Sequence, residues 1–365
     1  MRAAIAELPD GTHTAALETD GFGEETLLLN ATLSITGEDI HIDFAGSSPQ
    51  SRYGVNVVLN YTRAYASFAV KAAIAPEVPH NAGSFRPVHV TAPRGSVLNC
   101  EPPAPVASRH LVGHFLPSLL FTALRPALPG RLLAQSADAL WMTVWRGRQP
   151  ETGATAEEDP YTLTVFQAGG AGARATKDGL NTTGFPTGVR AAPTEVVETL
   201  TPLVQRRREL RTDSGGPGRQ RGGLGQVTEV ECRVAGPWTV NGNVDRTLFP
   251  AAGAEGGGPG AAGSFTTAEG AELPRKSLVL LDAGDAVLLR LPGGGGYGDP
   301  FTRDPARVRA DVADGYVSIE AARRDYGVAI TYTGPPDALV RPPASYTIDE
   351  RETARLRGPG RVPGD

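Results

Sequence analysis

The sequence predicts an α+β protein that is β-rich toward its C-terminus, with glycine-rich loops and few short helices. Three observations predict it. Apolar residues alternate along several short segments, the mark of half-buried strands. The longest stretches with helical spacing cover only about residues 60–75 and 111–124. The 45 glycines and 31 prolines among 365 residues gather between these segments and set many tight turns.

Taken in order, residues 1–6 read as the last turns of a helix that Pro9, Asp10 and Gly11 end. Leu27, Leu29, Ala31, Leu33 and Ile35 then alternate, Gly37-Glu38-Asp39 turns, and Ile40, Ile42 and Phe44 alternate again, which predicts a hairpin. The alanine-rich helix over residues 60–75 carries Tyr61, Tyr65, Phe68 and Ala69 and stops at Pro76. In the helix over 111–124, Leu111, Phe115, Leu119 and Leu120 share a face, and Pro117 is tolerable only in a first turn. Strands follow around residues 141–145 and 161–166, with the polar run 146–159 as a surface loop. From Gly169 onward glycine-rich loops join short apolar strands at 227–234, 277–281 and 286–291. Residues 251–263, almost all alanine, glycine and proline, read as a flexible loop with too few side chains to pack. Asp304-Pro305 and Ser318 start a pair of short helices in N-cap positions. Beyond Pro335 the chain reads as a poorly ordered tail. These boundaries divide the chain into residues 1–168, 169–300 and 301–365.

A net charge of −5 with 40% hydrophobic residues fits a chain with a sizeable core and offers no broad basic surface for nucleic acid. The one basic cluster, Arg206 to Arg208 with Arg211, contains Glu209. Two cysteines, Cys100 and Cys232, make neither a disulfide framework nor a CxxC pair, which points to a reducing cytoplasm. Glu7 stands where a secretory signal needs its apolar run, and no apolar stretch has membrane-spanning length.

Several segments together carry a family likeness. They are Asp43-Phe44-Ala45-Gly46-Ser47-Ser48-Pro49-Gln50; Asn81-Ala82-Gly83-Ser84-Phe85-Arg86-Pro87-Val88; and Gly169-Gly170-Ala171-Gly172-Ala173-Arg174 with Lys177-Asp178-Gly179-Leu180. Asp213-Ser214-Gly215-Gly216-Pro217-Gly218-Arg219, Arg221-Gly222-Gly223-Leu224-Gly225 and the run from Pro292 to Pro300 complete the set. In this order the chain resembles the C-terminal part of the hydantoinase B, oxoprolinase and acetone carboxylase alpha-subunit family. The resemblance implies a subunit that hydrolyses small cyclic amides, as an N-methylhydantoinase or 5-oxoprolinase does, beside a hydantoinase A-type subunit that uses ATP to activate the amide oxygen. It also implies a divalent metal in the complete complex, held by a His-rich and Asp-containing N-terminal region. That region does not precede Met1, and Gly11-Thr12-His13 copies only three letters of such a segment. A truncated subunit, a separate N-terminal B-type polypeptide and a non-catalytic assembly protein are the resulting expectations. A ketone carboxylase subunit for acetone or acetophenone stands as the alternative activity.

His110 and His114, four apart in a helix, place both imidazoles on one face, a spacing suited to a metal or to substrate contact. No acidic third ligand stands nearby, so a structural or substrate-contacting pair is the stronger reading, with no metal and no cofactor assigned to the chain. All six histidines, at 13, 41, 80, 89, 110 and 114, lie in the first third. Asp178 and Asn181, with Thr182 and Thr183, offer polar groups for a cyclic amide or for a plain turn. Gly293 to Gly296 lacks the Gly-Lys-Ser/Thr ending of a phosphate loop and reads as a tight structural loop. Gly169 to Gly172 lacks the acidic residue of a dinucleotide site. Asp213 and Ser214 read as a turn, because a serine nucleophile has no histidine beside it. Asp43 is expected to face solvent.

Overall fold

Helix α1 (Arg2–Ala6) leads into a long antiparallel hairpin in the computed structural model, which describes residues 1–23, 25–138, 140–148, 160–234 and 236–358. Strands β1 (Gly11–Phe22) and β2 (Glu25–Thr36) form that hairpin, and β3 (Asp39–Asp43) extends the sheet antiparallel. Helix α2 (Leu59–Ile74) crosses over to β4 (Val88–Thr91), which pairs parallel to β3. The predicted hairpin is thus β2–β3. Strand β1 escaped prediction because its side chains are mostly polar or half-exposed until Leu17.

Helices α3 (His110–Gly113) and α4 (Phe115–Leu124) follow end to end, and α4 packs against α2, β1 and β2. Pro117 sits in the first turn of α4, where its missing N–H removes no helix bond. Strands β5 (Trp141–Arg148) and β6 (Pro160–Gln167) come next. Arg146 to Arg148, expected in the loop, continue the strand, because Arg146 pairs with Thr162 and with Thr239. The rest of that expected loop, residues 149–159, lies outside the described residues. Helix α5 (Thr194–Leu200) precedes β7 (Leu203–Leu210), β8 (Gln226–Cys232), β9 (Trp238–Asn243), β10 (Ser264–Thr267), β11 (Leu278–Leu281) and β12 (Ala286–Arg290).

These strands build two four-stranded antiparallel sheets, ordered β10-β12-β8-β7 and β11-β9-β5-β6. Trp145 and Trp238 stack at 5.7 Å within the second sheet, while Tyr161 reaches Cys232 and Phe265 lies against Gly242 across the two. Both cysteines are free. One hydrophobic core runs without interruption from Ile5 through Leu291.

Between the sheets and the C-terminus lies a layer built from backbone. Gly293 donates to the Ala261 carbonyl, Gly294 to Gly223, Gly295 to Gln135, Gly296 to Gly258 and Tyr297 to Gln220. Successive amides therefore point to three surrounding segments in turn and return to the first after three residues, the period of a polyproline-II helix. A Cβ on Gly222 would stand 1.9 Å from the Gly294 oxygen, and one on Gly257 would stand 2.3 Å from that of Gly296. Only glycine admits backbones this close. Residues 251–263 are consequently not the flexible loop expected from composition: Ala251 is fully buried, and Gly257, Gly258 and Gly260 pack into this layer.

The C-terminal residues are also more ordered than expected. Helices α6 (Pro305–Ala313) and α7 (Ile319–Tyr326) start on the predicted Asp304 and Ser318 caps. Strands β13 (Ile330–Tyr332) and β14 (Tyr346–Ile348) pair, and α8 (Glu350–Arg357) follows. The expected tail therefore contains a strand and a helix, because Tyr346 and its neighbours close a second small core around Val308, Ala322 and Tyr326. Among the described residues no helix is long and apolar enough to cross a membrane.

Candidate functional site

His114 joins α3 to α4 with helical backbone angles, and this junction brings His110 and His114 together, ring centroids 5.7 Å apart. The aromatic residues of α2 face them. Tyr61 stacks on Tyr65 at 4.6 Å, and Tyr65 lies 5.5 Å from His114. On the other side Phe166 of β6 meets His110 edge-on at 6.4 Å. The half-exposed aromatic row of α2 thus serves this ladder of rings, while Thr62, Ala66, Ala69 and Val70 form the helix's buried face.

Phe166 also lines a cavity of about 310 Å³ with Leu140, Thr182, Val189, Leu210, Gln226 and the charged Arg208 and Glu209; neither histidine lines it. Apolar walls with a few polar groups suit a small organic ligand. The Gln226 amide nitrogen donates to the Ala168 carbonyl at 3.0 Å, which fixes the side chain.

Burial holds both imidazoles neutral. It pushes His110 down to about 4, aided by Arg109 and Lys276, and His114 down to about 3, aided by His110. His114 is 2% exposed, and the nearby Asp138 main chain works weakly to raise its affinity for a proton. Its Nδ1 has no partner among the described residues. His110 Nε2 is likewise buried and unpartnered.

The support beneath His114 is rigid. The Asp138 carboxylate accepts from Ser118 Oγ at 2.8 Å and from the Arg246 guanidinium at 2.8 Å. Burial pushes Asp138 up to about 6 against the pull of Arg246. Arg246 is itself 2% exposed, lies 4.6 Å over the Phe115 ring and donates to the carbonyls of Ser136, Ala137 and Phe249. Asp138 and Arg246 both adopt left-handed backbone angles, φ +53° and +61°, a strained state that persists where surrounding bonds enforce it. Beside them Lys276 is paired with Asp245 at 2.7 Å, both almost fully buried, and also donates to the Gly21 carbonyl. Asp20 accepts from the amides of Thr247 and Leu248 and from the Thr247 hydroxyl. Sequence reasoning missed this network, since its partners stand 108 and 225 positions apart and no local motif marks them.

Asp178 and Asn181 are placed elsewhere. Asp178 accepts from Arg303 through both oxygens, at 2.7 and 2.9 Å, from Arg307 and from the Arg221 amide. Burial works to raise its carboxyl, but the Arg303 and Arg307 guanidiniums outweigh it and hold the group below the usual carboxylate range. Asn181 accepts from the Leu224 amide at 2.9 Å. Neither lines the cavity beside Phe166, whereas Thr182, next in the chain, does. Ser214 donates to the Arg211 carbonyl and accepts from Gly225, and Asp213 caps Ser318, so both hold turns. Asp43 is exposed. The amides of Gly293 to Gly296 are occupied by carbonyls and form no anion nest.

Among the described residues no group of three or more His, Cys, Asp or Glu side chains can hold a metal ion. The described residues therefore do not fit the divalent metal that the resemblance implies.

Residues 1–300 match the family model for hydantoinase B/oxoprolinase. The chain belongs to the hydantoinase B/oxoprolinase family. The beta subunit of caprolactamase from Pseudomonas jessenii is 32% identical over 354 residues, which cover 92% of this chain and 59% of that protein. The crystal structure of the ATP-dependent caprolactamase from P. jessenii superposes with a TM-score of 0.81 at 27% identity, covering 98% of this chain and 61% of that one. Nucleotide-free acetone carboxylase gives a TM-score of 0.83 at 20% identity over 98% of this chain and 53% of that chain, a likeness of fold. The chain spans 57–59% of the length of the first curated relatives it matches.

Proposed function

We propose that the chain is the C-terminal part of a B-type subunit in an ATP-dependent cyclic-amide hydrolase, and that its His110–His114 ladder and the adjoining cavity contact the ring. The observation that carries this reading is the cavity of about 310 Å³, whose Phe166 wall meets the buried His110–His114 pair edge-on and whose polar groups are Thr182, Arg208, Glu209 and Gln226. A protonated histidine would repel an activated, polarised carbonyl carbon and leave no lone pair for a substrate N–H. A neutral one offers one donor and one acceptor. Phe166 and Tyr65 flank the imidazoles and limit the water around them.

In this reading an A-type subunit consumes ATP to activate the amide oxygen. A metal, if the complex uses one, is held by residues outside the described set. Asp178 and Asn181 serve the substrate only indirectly, by fixing the loop that presents Thr182 to the cavity. The chain works in the cytoplasm.

The test is ATP-dependent turnover by the complex of this chain with its A-type subunit and any B-type N-terminal polypeptide. Substrates are hydantoin, 5-oxoproline, a lactam, and acetone or acetophenone with bicarbonate. Ring opening coupled to ATP use is the expected result. Turnover of ketones alone assigns the carboxylase instead, and silence with every chain folded removes the catalytic reading.

A further inference from the structure

Another cleft, of about 550 Å³, opens between the β1–β2 turn at Asp20 to Gly23, the loop at Thr247 and Leu248, and the segment from Glu272 to Ser277. It shares no wall residue with the cavity beside Phe166, so what it binds is independent of the cyclic-amide reading. Phe22, Phe265, Leu273 and the half-exposed Leu248 give it an apolar surface. A cleft of this size, apolar with a few fixed polar groups, has the form of a small-molecule site.

The charges of the wall decide which molecule it takes. Lys276 and Asp245, both almost fully buried, neutralise each other at 2.7 Å, and the ammonium also donates to the Gly21 carbonyl. The buried Asp20 carboxylate is filled by the amides of Thr247, Leu248 and Phe249 and by the Thr247 hydroxyl. Arg275 differs from both. Its side chain is 33% exposed, and its Nη1 donates to the Thr247 hydroxyl at 2.9 Å and stands 3.8 Å from Asp20. Its Nε and Nη2 have no partner among the described residues. These two atoms form one edge of the planar guanidinium, a fork that takes a carboxylate through two parallel hydrogen bonds. The Val244 amide donates to the Arg275 carbonyl at 3.2 Å and holds the backbone beneath the fork. The exposed Glu272 also lines the cleft, so a doubly charged anion meets its carboxylate as well as that of Asp20.

We infer that this cleft binds a small monocarboxylate with an apolar body. Arg275 Nε and Nη2 hold the carboxylate, and the body covers Leu248, Phe22 and Leu273. An uncharged amide of the same shape keeps the apolar contacts and loses the charge-assisted pair.

The test is a titration of the full chain, with its arginines labelled with ¹⁵N, by cyclohexanecarboxylate, cyclohexanecarboxamide and inorganic phosphate. The carboxylate is expected to bind saturably and to move the Arg275 Nε resonance. The amide should bind about tenfold or more weakly, the worth of a charge-assisted pair left unmade, and phosphate should also bind more weakly than the carboxylate. Arg275→Gln should bring the carboxylate down to the affinity of the amide. Arg52→Gln, at an exposed arginine outside the cleft wall, should leave it unchanged. Because the comparison of ligands uses the unaltered chain, it stands even where a variant fails to fold. Equal affinities for acid and amide, phosphate bound as tightly as the carboxylate, a response that leaves Arg275 Nε unmoved, or no binding overturns the inference. Each of these outcomes leaves the hydrolase reading intact, since turnover is what tests it.

Discussion

His114 shows how one side chain acquires its chemistry from burial. Its ordinary value near 6.5 is pushed to about 3, and that of His110 to about 4, so the folded chain binds fewer protons than the unfolded chain between those values and pH 6.5. The associated stability is fully present above pH 6.5 and drains as the pH falls through that window. It amounts to roughly 3–5 kcal/mol for each histidine, at about 1.4 kcal/mol per unit. The His114→Phe variant, compared with the parent by urea unfolding at pH 7 and pH 4, should lose less stability on acidification. Equal losses would show that the imidazole is not held neutral. At Arg246 the prediction is sharper. Arg246→Ala leaves the Asp138 carboxylate buried without its cation, and a loss of roughly 3–5 kcal/mol is expected in the same assay. A loss below 1 kcal/mol would mean that water reaches Asp138.

At the scale of elements, the glycine layer carries the most exacting demand. Gly222→Ala places a methyl 1.9 Å from a backbone oxygen that no rotamer change can move. Gly11→Ala meets nothing closer than 3.8 Å. The first should cost on the order of 4 kcal/mol or more and the second under 1 kcal/mol, read as denaturation midpoints. Comparable effects would contradict the close packing. Helices α2, α4, α6 and α7, the β2–β3 hairpin and the caps at Asp304 and Ser318 were legible in the sequence because periodicity and capping are local, whereas α5 and α8 were not. The role of residues 251–263 was not. Alanine and glycine look like a linker when read alone, and become a packed element only when other glycine segments lie alongside. Strand β1 was missed for a related reason, since its pairing with β2 through ten registered positions outweighs its polar composition.

For the whole molecule, the question is what joins the second core to the first. Arg303, 1% exposed, bridges Asp178 in the glycine layer and Asp311 on α6, and Arg307 adds a further bond to Asp178. Asp178→Ala should therefore cost roughly 3–5 kcal/mol, because it leaves one face of a buried guanidinium unpaired. It should also raise hydrogen exchange in α6 and α7 before it does so in the sheets. Uniform exchange throughout would show that the two cores unfold as one. The sequence by itself determined the α+β class, the family, helices α2, α4, α6 and α7 and the spacing of His110 and His114, since each rests on residues near one another in the chain. Only the tertiary structure decided that Asp138 pairs with Arg246 in the core, that Asp178 serves as a tie between cores, and that glycine runs form a layer. Those facts depend on backbone approach and on charges brought together across more than a hundred residues, which no local pattern encodes.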